Sequence, residues 1–287
     1  MTEEERRGTK LGIGERRTVV AGIGVLAWLV GLLWIFPVAW TVFTSFKTEE
    51  DASAQTLHQG LSFGRYSDVS HSTTGTLSLS AAFTNSLVVV VVSTVIVMLL
   101  ALPAAYALAI RPVPKWRDVL FFFISTKFLP IVASIFPIYV YAEKWNLIGT
   151  RTILIVLYIA INLPLAIWMM RSFFVEVPRE LIEASEIDGT SLFNQLRSVI
   201  LPIAAPGIAA TALLCVIFAW NEYFYAIQLN FASASTMPQW VIGNVSTRGN
   251  FLAKLSAASI IACLPVVLAG WAAQKRMIRG LSMGAIK

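Results

Sequence analysis

Residues Glu183 to Pro202 read EASEIDGTSLFNQLRSVILP, and this stretch decides how the chain is organised. It opens with three acids in six residues and lies between two apolar runs. Just upstream, Pro178 suits the first turn of a helix, because its missing N–H would have no intrahelical partner there. Glu180 and Glu183 then fall near the positive end of the helix dipole, where carboxylates stabilise. Leu181, Ile182 and Ser185 follow at helical spacing, and Ala184 and Ile187 extend the face. Gly189 predicts the stop, since glycine enters the left-handed conformation without a Cβ penalty. Thr190 or Ser191 is placed to cap a second helix. Its apolar stripe is Leu192, Phe193, Leu196, Val199 and Ile200, and Pro202 marks where the next apolar run begins. The pattern predicts helix, sharp turn, helix.

Composition sets the surroundings of this loop. The 287 residues are 57% hydrophobic and only 13% charged, against about 25% charged in ordinary soluble domains. Mean hydropathy is +0.72. An integral membrane protein built as one bundle follows. The net charge of +6 does not indicate nucleic acid, because the basic residues flank apolar segments instead of forming one patch. Cys215 and Cys263 lie inside apolar runs, where helix packing is their expected role. His58 and His71 share one polar loop without metal-ligand company, and neither a catalytic nor a metal site is expected. The charged segment MTEEERRGTKLGIGERR leads into an uncharged run from Thr18 to Phe43. That run is too long for a signal-peptide core, so it reads as an uncleaved first span.

A spanning helix needs about 20 apolar residues. Six segments qualify, at about 18–43, 81–110, 119–142, 152–174, 201–229 and 255–274. Backbone groups in lipid must be bonded internally, so these are helices. With the N-terminus inside, 15 of the 22 lysines and arginines fall on inside segments, six fall outside, and Lys127 lies within a span. This bias obeys the positive-inside rule with both termini cytoplasmic. The expected fold is an all-α, polytopic membrane helical bundle of six transmembrane helices. A cytoplasmic segment 1–17 precedes the transmembrane domain 18–274, a cytoplasmic loop occupies about 175–200, and a tail 275–287 follows. Pro37, Pro103, Pro130, Pro137, Pro164 and Pro265 punctuate the spans, compatible with ordinary membrane packing or with a moving pathway. The loop itself carries five acids between Val175 and Gly189 against one base, Arg179. Such a segment is either a solvated loop or a docking element for a cytoplasmic partner.

The run Glu183-Ala184-Ser185, then Gly189, then Val199-Ile200-Leu201-Pro202 resembles the E-A-A-x3-G-x9-I-x-L-P loop of ABC importer permeases. Ser185 stands where alanine is usual and Val199 where isoleucine is usual. Asn85-Ser86-Leu87, Phe128-Leu129-Pro130, Trp220-Asn221-Glu222 and the tail Gly280 to Lys287 resemble the carbohydrate-importer branch, specifically the permease half similar to the smaller membrane subunit of the maltose importer. The resemblance implies the ABC importer permease fold, in a bacterial plasma (inner) membrane. It implies a second, unlike permease, separate ATP-binding cassette subunits and an extracytoplasmic sugar-binding protein facing the polar outer segment of about 46–80. ATP and Mg would reside on the partner subunit, with no cofactor on this chain. Coupling would fall to Glu183, Ala184, Ser185, Asp188, Gly189, Leu201 and Pro202, with Glu183 meeting the partner's cleft and Gly189 making the turn.

Lys127 lies eight residues into the third segment, about 12 Å deep at 1.5 Å per residue. A charge there costs about 2.5–3.5 kcal/mol, which a cavity, a buried partner or snorkelling must offset. Asn221, Glu222 and Tyr223 offer the amide, carboxylate and ring that sugars use, although aromatic residues also form interfacial belts. Asn162 is a buried polar candidate, for the pathway or for interhelical bonding. No G-x-x-x-x-G-K-S/T loop occurs, so ATP hydrolysis is not expected of this chain. The alternative is a secondary transporter or channel subunit not driven by ATP, which would ordinarily carry more intramembrane charge or an internal repeat.

Overall fold

The computed structural model describes residues 3–54, 62–71, 73–74, 77–111, 113–230, 234–243 and 251–284, with side chains 3–19, 73, 74, 77 and 275–284 left aside. His58, Arg248 and the last residues of the tail lie outside the described residues. Among the described residues, five helices are long and apolar enough to cross a membrane: Val20–Ser45, Leu79–Ile110, Arg151–Val175, Leu192–Trp220 and Leu252–Gln274. They are called the first, second, fourth, fifth and sixth spans. Ser78 starts the second span by accepting a hydrogen bond from the Ala81 N–H, and Thr150 starts the fourth by accepting from that of Ile153. The sixth span borrows its cap: both carboxylate oxygens of Glu49 accept from the N–H groups of Ala253 and Lys254, at 3.1 and 2.8 Å.

The third span corrects the expectation of one helix over 119–142. It is a pair, Trp116–Phe128 and Ile131–Lys144, meeting at 89°. Pro130 is the cause. It forces Leu129 out of the helical region, to ψ 130°, and has no N–H to carry the ladder across. The fifth span departs from 201–229 at both ends. It is helical from Leu192 and stops at Trp220, and Phe224–Leu229 is a separate short helix.

Two apolar clusters hold the spans together. The one at the end carrying the 175–200 loop joins Val97, Ala105, Ile167 and Phe174 with Ile182 of the loop and Ile200. The one at the far end joins Val89, Leu154, Tyr158 and Trp220 with Leu229 and Trp240. Asn85, 1% exposed, ties this far end: its amide donates to the Ser235 carbonyl and its Oδ1 accepts from Arg151 Nε at 2.8 Å. Beside it, Ser86 Oγ accepts from the Met237 N–H. Large apolar side chains such as Trp28, Leu99 and Phe121 point outward. In water that would be a liability; in lipid it is the required surface.

Helices in lipid gain little hydrophobic drive toward each other, so small residues at close crossings carry the packing. The fifth span buries Ala204, Gly207, Thr211 and Cys215 along one face. A Cβ on Gly207 would sit 2.1 Å from the Phe173 ring of the fourth span. Gly207→Leu should therefore force these helices apart and cost about 1–3 kcal/mol. The check is a lowered thermal unfolding midpoint of the purified protein in detergent, with Gly22→Leu, whose site has nothing within 4 Å, as a silent control.

Candidate functional site

The connection between the fourth and fifth spans builds the site. Val177, 3% exposed, turns back into the bundle, and helix Arg179–Ile187 follows Pro178. This loop helix ends in a Schellman turn. The Gly189 N–H bonds the Glu186 carbonyl, the Thr190 N–H bonds that of Ser185, both at 3.0 Å, and Gly189 takes φ +70°. Ser191, not Thr190, caps the next helix by accepting from the Asn194 N–H at 3.4 Å. That helix, Leu192–Gln195, runs through a π turn at Leu196–Ile200 straight into the fifth span. Pro202 accounts for the wide turn. In an α register its ring would crowd the Ser198 carbonyl, whereas the π register bonds the Leu201 N–H to Leu196 and relieves that contact.

The loop helix has two faces where the sequence pattern suggests one. Ile182 and Ser185 turn into the bundle, each 7% exposed. Leu181, Ala184 and Ile187 turn out, with Ile187 87% exposed, and Leu192 and Phe193 are exposed on the next helix. Glu180, Glu183 and Asp188 are exposed beside them. The result is an apolar stripe with an acidic border on the loop helix, continued by the exposed first turn of the fifth span. Leu201 is half-buried and Pro202 exposed at the base of the fifth span.

Behind the stripe lies a polar cluster that periodicity does not reveal. Gln195 is fully buried. Its Nε2 donates to Ser185 Oγ at 2.7 Å and to the Ile182 carbonyl at 3.2 Å. Its Oε1 accepts from the Tyr106 hydroxyl and, at 3.5 Å, from Arg111 Nη2. Arg111 also donates to Tyr106 Oη at 3.2 Å and pairs with Glu186 at 3.1 Å. The one sequence signal was a lone glutamine within an apolar stripe.

The remaining candidates separate into two places. Lys127 sits in the turn Thr126–Phe128 at the break of the third span and donates to the Ile161 carbonyl of the fourth. Asn162, 1% exposed, donates to the Tyr158 carbonyl at 2.9 Å, while its Oδ1 has no hydrogen-bond partner among the described residues. At the far end, Glu222 is a cap: its carboxylate accepts from the Tyr225 and Ala226 N–H groups at 2.9 and 3.3 Å. Asn221 donates back to the Ile217 carbonyl. Asn221 and Tyr223 do meet, on the wall of a cavity of about 400 Å³ whose other lining is mostly apolar, including Val241, Ile242 and Val266.

The chain belongs to the family of binding-protein-dependent transport system inner membrane components, whose model matches residues 98–279. It is therefore a permease of the ABC importer class, a multi-pass membrane protein and a transport component. A probable ABC transporter permease protein of Sinorhizobium fredii is 30% identical over 286 residues, covering 94% of this chain and 97% of that protein. A trehalose transport system permease protein of Mycobacterium tuberculosis is 30% identical over 257 residues, covering 88% and 92%. In fold, the chain is similar to a bacterial ABC transporter involved in the import of the acidic polysaccharide alginate: TM-score 0.69 at 21% identity, covering 96% and 98%.

A Cβ on Gly189 would meet nothing within 4 Å, so its constraint is the positive φ and not space. Gly189→Val should cost about 1–2 kcal/mol locally, enough to loosen the turn without disturbing the spans. Hydrogen exchange over residues 179–195 should rise about 5- to 30-fold, while helical content by circular dichroism stays unchanged.

Proposed function

We propose that this chain is one of two unlike permease subunits of an ATP-driven carbohydrate importer in a bacterial plasma membrane. The stripe of Leu181, Ala184 and Ile187, with Glu183 and Asp188 at its border, docks in a cleft of an ATP-binding cassette subunit. That partner carries ATP and Mg, and an extracytoplasmic sugar-binding protein delivers substrate to the opposite face. The single observation that carries this reading is an exposed apolar surface on a loop that lies beyond the membrane spans. Lipid does not cover it, and acids beside it would be repelled by anionic headgroups. The excess of basic residues on the same side gives the loop its cytoplasmic orientation. Carbohydrate as cargo is supported by the relative named for trehalose and by the likeness in fold to the alginate importer.

Within the membrane, Lys127 and Asn162 are proposed to line the pathway. Lys127 brings a cation to the third-span break, and Asn162 holds an unused acceptor. Asn221 and Tyr223 face the far-end cavity, whose apolar walls suit sugar ring faces better than hydroxyls. Glu222 serves mainly to hold the short helix beneath them.

Co-purification should recover an ATP-binding subunit and a second permease, and vesicles containing the set should take up sugar only with ATP. Ile187→Glu puts a charge in the docked stripe and should weaken recovery of the ATP-binding subunit about tenfold or more. Gly189→Val should insert normally yet uncouple ATP hydrolysis from uptake. Normal uptake by that variant at normal protein levels overturns the assignment, as does transport without ATP by this chain alone, the behaviour of a secondary transporter or channel.

A further inference from the structure

We infer that the Gln195 amide, with Tyr106 and Arg111, is the joint through which movement of the loop helix reaches the second span. This inference rests on the coupling role proposed above and assigns its transmitting residues. The loop helix is joined by the chain itself to the fourth span, through Glu176–Pro178, and to the fifth, through the π turn. The second span has no such covalent link to it. Tyr106, in the last turns of that span, and Arg111, at its end, are its polar connections to the loop.

Gln195 can serve as the joint because every bonding position of its amide is used. Two N–H groups go to the loop helix, at Ser185 and Ile182, and the carbonyl oxygen takes one bond each from Tyr106 and Arg111. The orientation is fixed. Exchanging amide nitrogen and oxygen would set donors against the Arg111 guanidinium and an acceptor against the Ile182 carbonyl. A fully satisfied amide in a buried setting resists displacement, since breaking any one bond strands a buried polar group. The Arg111–Glu186 pair is different: its side chains are 35% and 47% exposed, so it steers the contact and adds little holding strength. Ile182 and Val177 pack in the same apolar cluster as Tyr106 and Leu108, which keeps water from competing for the joint. Gln195 and Tyr106 are buried behind the exposed stripe, and Arg111 is partly exposed beside Glu186, so all three act here as positioning residues.

The test uses the complete importer reconstituted in vesicles, comparing the wild-type protein with Tyr106→Phe and Gln195→Met. Both changes keep size: Tyr106→Phe removes the hydroxyl's bonds to Gln195 and Arg111, and Gln195→Met removes the amide's bonds to Tyr106 and Arg111 together with those to Ser185 and Ile182 inside the loop. The measurement is sugar transported per ATP hydrolysed. The expected result is a fall of about threefold or more in that ratio, with ATP hydrolysis and subunit recovery retained. Tyr106→Phe with Gln195→Met should fall no further than the worse single variant, because both break one linkage. A second reading comes from hydrogen exchange on nucleotide trapping. The wild type should change over 101–111 and 179–195 together, and the variants over 179–195 alone. An unchanged ratio, or uptake and hydrolysis falling by the same factor, overturns the joint. Failure of the wild type to recover an ATP-binding subunit or to need ATP instead overturns the proposed function, so the two failures are distinct.

Discussion

Inside hydrocarbon there is no water to satisfy a peptide group, so each backbone donor and acceptor must find its partner within the protein. The layout of this chain follows from that constraint. Long uninterrupted helices are the default, and each departure from them has a local remedy. At Leu129-Pro130 the chain turns by 89° and the Lys127 side chain bonds a carbonyl of the neighbouring span. After Trp220 the helix stops, and Glu222 supplies two acceptors to restart it. At the loop tip, Gly189 closes the helix end with backbone bonds alone.

Packing then divides the labour between two ends. The far-end cluster is reinforced by Asn85, Ser86 and Trp220, the last donating to the Ala262 carbonyl at 3.0 Å. These bonds connect distant stretches of the sequence and fix how the spans meet. The loop-end cluster is continuous with Ile182 and Ile200, so the loop is part of the bundle's core on one side and bare on the other. A segment built that way has a rigid back and an available front, which is what docking requires.

What could be read from the sequence was governed by local rules. Apolar length located the spans, Gly189 announced a left-handed turn, and Thr190 or Ser191 announced a cap before Leu192; these depend on nearest neighbours only. The break at Pro130 was not distinguishable from Pro137 or Pro164, which sit inside continuous helices. Whether a proline kinks or merely interrupts one bond depends on what surrounds it. The same applies to the two faces of the loop helix: periodicity grouped Leu181 with Ile182, and only the position of the bundle separates them. Gln195 and Tyr106 are 89 positions apart, and no spacing rule links them. Glu222 was legible as an unusual carboxylate, but its partners are backbone N–H groups, which a sequence does not distinguish by letter.

The first span has a mechanical consequence of its own. Its apolar window is unburied along the membrane; the helix lies against the sixth span, and its buried anchor on the bundle is at Thr44, Ser45 and Lys47, where Ser45 and Tyr66 share a hydrogen bond at 2.8 Å. The 26-residue apolar stretch of this helix, anchored at its Ser45 end, is a lever arm. At 1.5 Å per residue it is about 39 Å long, so ten degrees of tilt at the fastening sweeps the free end through about 7 Å. Packing against the sixth span and the Lys47–Trp40 contact near the fastening then set the angle at which this lever rests.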